Sequence, residues 1–475
     1  MHRSPARWVE LVGKTVPNDA LARAMAEARM SNTGLARRVR TLAEAAGSHS
    51  SADHVAVKRW LDGTQPKPET ARFIAAGLSE KLGRTVTPAG LGFTAEMVSA
   101  PHLVVTGAPV TYPDDAPAAT SELAAVADAD ANGALSPEAG AWDRLAVPSI
   151  ITGYLFGGGS EPGSVTEAGA PLDAEAIRLT TARLMDLDFQ LGGGHTRELL
   201  LFYFRSQVLP LLRALPRGPQ RRDVLSATAE LAQLLGWTAY DSGRHAAAQR
   251  YLVYGLRLAK DADDVLLGAR LLSNLSHQAN YLGHFKDAVQ LARAAISTSE
   301  RIPAPATLAL LHAMEARALA SLADEQGAAR ALARAEASLQ QDGASHDPAW
   351  ISYFDAAELA GEAAHCFRDL GKSEETRQFA GLAVAAPETP PRTRAFINMV
   401  SASGALRGGS LDEAVEIARQ AVELAGPLQS SRYRRYVADF VSEVVAAHPR
   451  DARTVELTVF TDPLLHDTGR PASER

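Results

Sequence analysis

The chain has almost no cysteine: Cys366 is the only one among 475 residues. A single thiol excludes an intramolecular disulfide framework and leaves no thiolate cage for a metal. Long apolar runs are missing too, and none approaches the roughly 20 residues that a membrane span requires. β-Branched residues are sparse outside short stretches, which weighs against sheet. The segment from Met1 to Val16 carries basic residues but no apolar core followed by a small-residue cleavage site. These absences lead to the expectation of a soluble, cytoplasmic chain with no cofactor and no membrane partner.

What is present favours helix. Alanine, leucine and arginine dominate, with hydrophobic residues at 46% and charged residues at 22%, although a GC-rich genome would enrich alanine and arginine without regard to structure. The length is enough for two or three domains. The net charge of −7 is unevenly spread. From Met1 to Phe93 there are 14 Lys/Arg against 8 Asp/Glu, a net of +6, and the remainder carries 34 against 47, a net of −13. A basic first domain on an acidic body is the electrostatic outline of a nucleic-acid-binding head on a body with another task.

Composition divides the chain into a helical head over 1–98, a linker over 99–147, a connecting helical segment over 148–221, helical repeats over 222–447 and a tail over 448–475. The linker is expected to be flexible because it is rich in Ala, Pro, Gly and Asp, with self-repelling acids in Asp128-Ala-Asp-Ala-Asn. That run is not read as a calcium loop, since the twelfth position is Ala139 where a closing glutamate belongs.

The repeats show as five breaks between amphipathic helices: Asp241-Ser-Gly-Arg, Leu282-Gly-His, Ala323-Asp-Glu, Leu370-Gly-Lys and Arg407-Gly-Gly-Ser. Taking Gly243, Gly283, Asp324, Gly371 and Gly409 as equivalent gives spacings of 40, 41, 47 and 38 residues. Small residues recur five positions on, at Ala248, Ala288, Ala329, Thr376 and Ala414. Glycine ending a first helix and a small residue early in the second predict a tetratricopeptide-like solenoid, longer in period than the usual 34 residues or so.

In the head, Asn18 or Asp19 starts a first helix, Ser31 caps a second with Leu35, Val39 and Leu42 on one face, and Asp53 caps a third with Val57, Trp60 and Leu61 as its apolar stripe. Gly63 closes the third, and a fourth follows with Phe73, Ile74, Leu78 and Leu82 inside. Rotation by about 100° per residue puts Val55, Lys58 and Arg59 opposite the stripe, with His54 at the exposed tip. A short helix with a basic outer face suits the major groove. There arginine grips guanine O6 and N7, and valine meets a thymine methyl. Lys58, Lys67, Arg72 and the amide end of the second helix at Asn32 are placed for phosphates. The bland alternative is a small bundle with a solvated basic face.

The stretches Met30-Ser-Asn-Thr-Gly-Leu-Ala and Val57-Lys-Arg-Trp-Leu-Asp-Gly resemble the Xre/Cro-type helix-turn-helix signature. Together with Leu35-Ala-Arg-Arg-Val, Gln65-Pro and Leu82-Gly-Arg-x-Val-Thr-Pro, they resemble an actinobacterial family that joins this head to a tetratricopeptide body, including NsdA-like negative regulators of sporulation and antibiotic production. Gly192-Gly-Gly-His-Thr-Arg, the stretch from Glu230 to His245 and His365-Cys-Phe-Arg-Asp-Leu-Gly look like that family's repeats. The resemblance covers most of the chain outside the linker. It implies an all-α architecture and a repressor of development or secondary metabolism, dimeric through its repeats. It also implies base contacts from His54, Val55 and Arg59 and a phosphate contact from Lys67. The stretch between the second and third helices is longer than in the simple phage-repressor type.

In such a solenoid the first helix of each pair lines the concave face. The expected groove comprises Glu230, Gln233, Trp237 and Tyr240, then Arg270, Asn274, His277 and Asn280, then Glu315, Glu358, Glu362 and His365. Polar groups in that number suit a peptide or small-molecule ligand, or else bond one another and solvent. The architecture resembles that of peptide-pheromone receptors of Gram-positive bacteria, by analogy only. Catalysis is not expected, because His365 and Cys366 point about 100° apart on a helix. A metal at His277, His312 and His365 lacks supporting ligands, and Gly157-Gly-Gly-Ser and Gly192-Gly-Gly-His read as turns rather than phosphate loops. The expected partners are an operator duplex, a ligand and a second copy of the chain. The competing function is a protein-interaction scaffold whose head no longer binds DNA.

Overall fold

The computed structural model describes residues 17–45, 51–82, 86, 91, 93, 109–133, 135, 142–158, 174–215, 220–341, 345–387, 389–426 and 428–466. Among these residues there are helices and no strand, so the described part of the chain is all-α. It divides into two units, Met1–Val104 and Val105–Arg475.

In the first unit each helix start is set by a local side-chain cap. The Asn18 side chain accepts the Leu21 amide at 3.0 Å at the head of α1 (Asp19–Glu27). The Ser31 hydroxyl accepts the Gly34 amide at 3.1 Å in α2 (Asn32–Ala45), and Asp53 accepts the Ala56 amide at 2.7 Å in α3 (His54–Leu61). Each such bond satisfies an amide that the helix leaves unpaired, at about 1 kcal/mol apiece. With α4 (Pro68–Leu82) these helices bury Leu21, Leu35, Val39, Val57, Ile74 and Leu78 completely. The Asn18 amide donates to the Leu61 carbonyl at 2.8 Å, and the Arg40 guanidinium donates to the carbonyl of buried Ala52. The end of the long α2–α3 stretch is therefore fixed to α2.

The second unit opens with α5 (Ala116–Ala131), α6 (Ala146–Phe156), α7 (Ala174–Leu191), α8 (Gly193–Tyr203) and α9 (Leu209–Ala214). Consecutive helices then pair: α10 (Gln220–Asp241) with α11 (His245–Asp261), α12 (Val265–Tyr281) with α13 (Phe285–Ser299), and α14 (Pro305–Ser321) with α15 (Glu325–Leu339). They are followed by α16 (Ala356–Asp369) with α17 (Ser373–Ala383), α18 (Pro391–Arg407) with α19 (Leu411–Ala425), and α20 (Ser431–Ala447) with α21 (Ala452–His466).

All five breaks read from the sequence fall between the helices of a pair, but one register needs correction. The residue equivalent to Gly243 (φ +78°) in the third pair is Ala323 (φ +60°), and not Asp324, which caps α15 through the Gly327 amide. Ala323 lies 40 residues after Gly283 and 48 before Gly371. The small residue of that pair is accordingly Ala328, fully buried, while Ala329 is exposed. The long third interval holds the connection through the short 3₁₀ turn Ala349–Ile351.

Two segments differ from expectation. The stretch expected to be a flexible linker carries α5, which buries Ala119, Leu123, Val126 and Ala127 in the core of the second unit. Alanine there is the small residue of a closely packed helix. The acids that looked self-repelling are paired: Asp128 with Arg205 at 2.8 Å, and Asp130, 1% exposed, with Arg197 and Arg244 at 2.9 and 3.0 Å. Residues 99–108 and 136–141 of that stretch lie outside the described residues. The expected tail contains α21, whose Leu457 is fully buried against the preceding helices.

The helical array also meets its own beginning. The Gly194 amide donates to the Gln429 carbonyl, and the Gln429 amide donates to the Leu191 carbonyl, both at 3.1 Å. Gly192 has φ +87°, and a Cβ there would fall 2.8 Å from the Gln429 carbonyl oxygen. Gly192 alone turns the chain, and Gly193-Gly-His is the start of helix α8 rather than part of the expected turn; the missing side chains of Gly192 and Gly194 admit the backbone before α20.

Candidate functional site

Two places concentrate functional chemistry. The first is the outer face of α3. Val57 and Trp60 hold this helix to its unit, with 0% and 7% of their surface exposed, while His54, Val55, Lys58 and Arg59 are exposed on the other side. Among the described residues no carboxylate lies within ion-pair distance of Lys58, Arg59 or the exposed Lys67. The Ala56 amide, helped against residual burial by the charge of His54, holds the Asp53 carboxyl below its ordinary value. Asp53 is therefore ionised as the cap of this helix at neutral pH. Asn32 is half-buried at the first position of α2. Arg72 belongs to α4, but its side chain lies outside the described residues.

The second place is a cavity of about 170 Å³ in the second unit, lined by the first helix of every pair and by α7. Eight of the twelve residues expected in the groove line it: Gln233, Trp237, Arg270, Asn274, His277, Glu358, Glu362 and His365. They come together because residues at i, i+4 and i+7 share a helix face, as Arg270, Asn274 and His277 do on α12.

The other four lie elsewhere. Glu315 is the clear correction. On α14 the cavity residues are Leu310, Met314 and Arg317, so Glu315 is turned about 100° away from Met314. It binds Arg293 at 2.9 Å and Arg334 at 3.2 Å on the neighbouring second helices. The hydrogen bond with His312 leads the effects that hold its carboxyl down at about 2. Tyr240 is buried beneath the cavity, its ring edge-on to Trp237, His277 and Tyr281 at 5.3–5.5 Å. Asn280 faces a separate hollow beside Tyr281 and Arg435. Glu230 is held by Arg178 at 2.9 Å beside a further hollow that also includes Trp350.

Four charged residues of the cavity, Asp188, Arg317, Arg392 and Arg432, were not apparent from the sequence, nor was Asp241 behind them. Asp188 contacts Arg392 at 3.3 Å, and Arg392 contacts Asp241 at 2.8 Å. Asp241 also contacts Arg432 at 3.2 Å and accepts the Ser430 hydroxyl and the Gly193 amide at 2.9 and 3.1 Å. Burial alone would raise the Asp241 carboxyl, but the two guanidiniums and these donors bring it below its ordinary value. Burial, against the pull of Arg392, raises Asp188 to about 6. Arg317 lies 2.8 Å from Glu362.

Burial holds His277 and His365 far below the ordinary histidine range, with Arg317 adding to the effect, so both rings are neutral. Arg317 Nη1 lies 3.4 Å from His277 Nε2. A guanidinium only donates, so the ring proton belongs on Nδ1, which is buried and has no partner. Asn274 Nδ2 is buried without a partner as well. Among the described residues no group of acids, histidines and cysteine is arranged to hold a metal. Cys366 is buried, and that burial pushes its thiol up, so it is a poor nucleophile.

Among the described acids of the cavity, Glu358 is the one with no cation within ion-pair distance. Burial, reinforced by the charges of Glu362 and Asp355, raises it to about 7. A carboxyl raised in the folded state above its unfolded value costs stability increasingly as pH climbs between the two. Glu358→Gln is therefore expected to stabilise the protein at pH 8 by about 1–2 kcal/mol and to change little at pH 4. Urea midpoints at both pH values check this; a variant less stable than the parent at pH 8 contradicts it.

Residues 21–94 match the family model of the SP15 N-terminal domain, which falls on the first unit. No match was found among the curated proteins. No helix among the described residues is long and apolar enough to cross a membrane.

Proposed function

We propose that the chain is a sequence-specific DNA-binding transcription regulator. Its first unit is a helix-turn-helix head with α3 as recognition helix, and its second unit is a tetratricopeptide-like solenoid that senses a ligand and pairs with a second copy. One observation carries the DNA reading: α3 buries Val57 and Trp60 on one face and leaves Lys58 and Arg59 exposed on the other, with no carboxylate among the described residues within ion-pair distance of either, although the charge of Asp53 reaches Arg59. A scaffold with a silent head gives no reason for two unpaired cations on a helix of groove-entering size. The net of +6 over the first 93 residues agrees with that reading.

Two substitutions test it. Arg59→Ala is expected to remove operator preference at the base pair it reads, a loss of about 1–3 kcal/mol in discrimination. Lys67→Ala is expected to weaken binding evenly across sequences and to lower the slope of log affinity against log salt by about 1. Competition titrations of specific and random duplexes at several salt concentrations measure both. Unchanged discrimination in the Arg59 variant would remove α3 from the role given to it.

A further inference from the structure

We propose that the cavity of the second unit binds a small zwitterion with an apolar body, namely an apolar amino acid or a short peptide of such residues, Glu358 receiving its ammonium group and Arg270 its carboxylate. The inference rests on the sensing role given above and names the chemistry of the ligand.

It follows from which cavity charges have partners. Asp188 and Asp241 are matched by Arg392 and Arg432, and Glu362 is matched by Arg317. One cation and one acid remain. Arg270 is 6% exposed, and its guanidinium meets neutral groups, the Met185 sulfur at 3.9 Å and the Trp350 ring at 4.6 Å from the centroid. Glu230, whose charge reaches it, is taken by Arg178. Glu358 has no cation within ion-pair distance among the described residues, and the charges that reach it, from Glu362 and Asp355, are negative.

Arg270 is buried and Glu358 half-buried, and a charge withdrawn from water without a counterion is costly unless something else supplies one. A simple cation would leave Arg270 unmatched, and a simple anion would leave Glu358 unmatched. A phosphate would face Glu358 and Glu362 together. A zwitterion matches both vacancies without adding net charge. Leu234, Leu310, Met314 and Trp237 supply apolar wall for its body, and the Asn274 amide and His277 Nδ1–H are unpartnered donors for a carboxylate or peptide carbonyl. The volume has room for on the order of ten waters, which suits one to two residues.

The test is calorimetric titration of the full chain with L-leucine, L-methionine, L-phenylalanine and Leu-Leu. Each is paired with analogues lacking one charge: for leucine, 4-methylpentanoate and isoamylamine; for Leu-Leu, its N-acetyl and C-amide forms. At least one zwitterion is expected to bind, and loss of either charge to weaken it roughly 10- to 100-fold. Glu358→Gln is expected to lose as much affinity for the zwitterion and nothing further for the deaminated analogue. Binding of the amino acids or of the dipeptide alone tells the two sources apart. No binding by any zwitterion, single-charge analogues that bind equally well, or parental affinity in the Glu358 variant would overturn the assignment. Calorimetry needs no DNA, so these outcomes do not depend on the head. A zwitterion that binds in this way but leaves DNA affinity unchanged supports the site and overturns the sensing role.

Discussion

Asp241→Asn is expected to destabilise the second unit by about 3–5 kcal/mol. Asparagine keeps the shape but has one acceptor oxygen where the carboxylate has two, so it can accept from Gly193 or from Ser430 and not from both, and it withdraws the charge that faces Arg392 and Arg432. Those two guanidiniums are 6% and 11% exposed, and water cannot replace the lost carboxylate for either. Asp188 remains beside Arg392 but does not contact Arg432 at ion-pair distance. The effect should reach beyond one helix pair, since Asp241 ends α10 while its partners start α8, α18 and α20. Urea unfolding measures it. A loss below about 1 kcal/mol would mean that the closure of the array does not depend on this carboxylate.

Asp130→Asn is expected to cost a similar amount, again about 3–5 kcal/mol, because Arg197 and Arg244 would both be left without their buried counterion. Tyr251 would lose a charged acceptor 3.2 Å from its hydroxyl. The neighbouring Asp128 is the control. Its pair with Arg205 is at the surface, with side chains 35% and 40% exposed, so Asp128→Ala should cost no more than about 1 kcal/mol. Limited proteolysis adds a second readout, as cleavage within 109–133 should speed up in the Asp130 variant and not in the Asp128 variant. Equal stability of the two variants would contradict the docking of α5 through Asp130.

The features legible in the sequence are those determined by near neighbours. Asn18, Ser31 and Asp53 announce helix starts because each bonds an amide three residues on. Gly243, Gly283, Gly371 and Gly409 announce hairpins because they adopt positive φ. Ala323 shows the limit, since an alanine in that conformation is invisible to a search for glycine, and the third pair was misplaced by one residue. The same one-residue sensitivity put Glu315 on the wrong face of α14. Long-range closure left no local trace. Asp188 and Arg392 are 204 residues apart, and neither carries a motif that names the other. Composition misled at α5, where alanine and aspartate look the same in a solvated linker and in a packed helix. There only the arginines that meet Asp128 and Asp130 distinguish the two.

The central claim is that α3 reads DNA, and selection of bound sequences from a random duplex pool with the purified full chain tests it most directly. Enrichment of a defined motif is expected, and an inverted repeat would show that two copies bind with two-fold symmetry. Binding that is weak, lost with added salt and free of any enriched sequence, with and without the zwitterions named above, would contradict it.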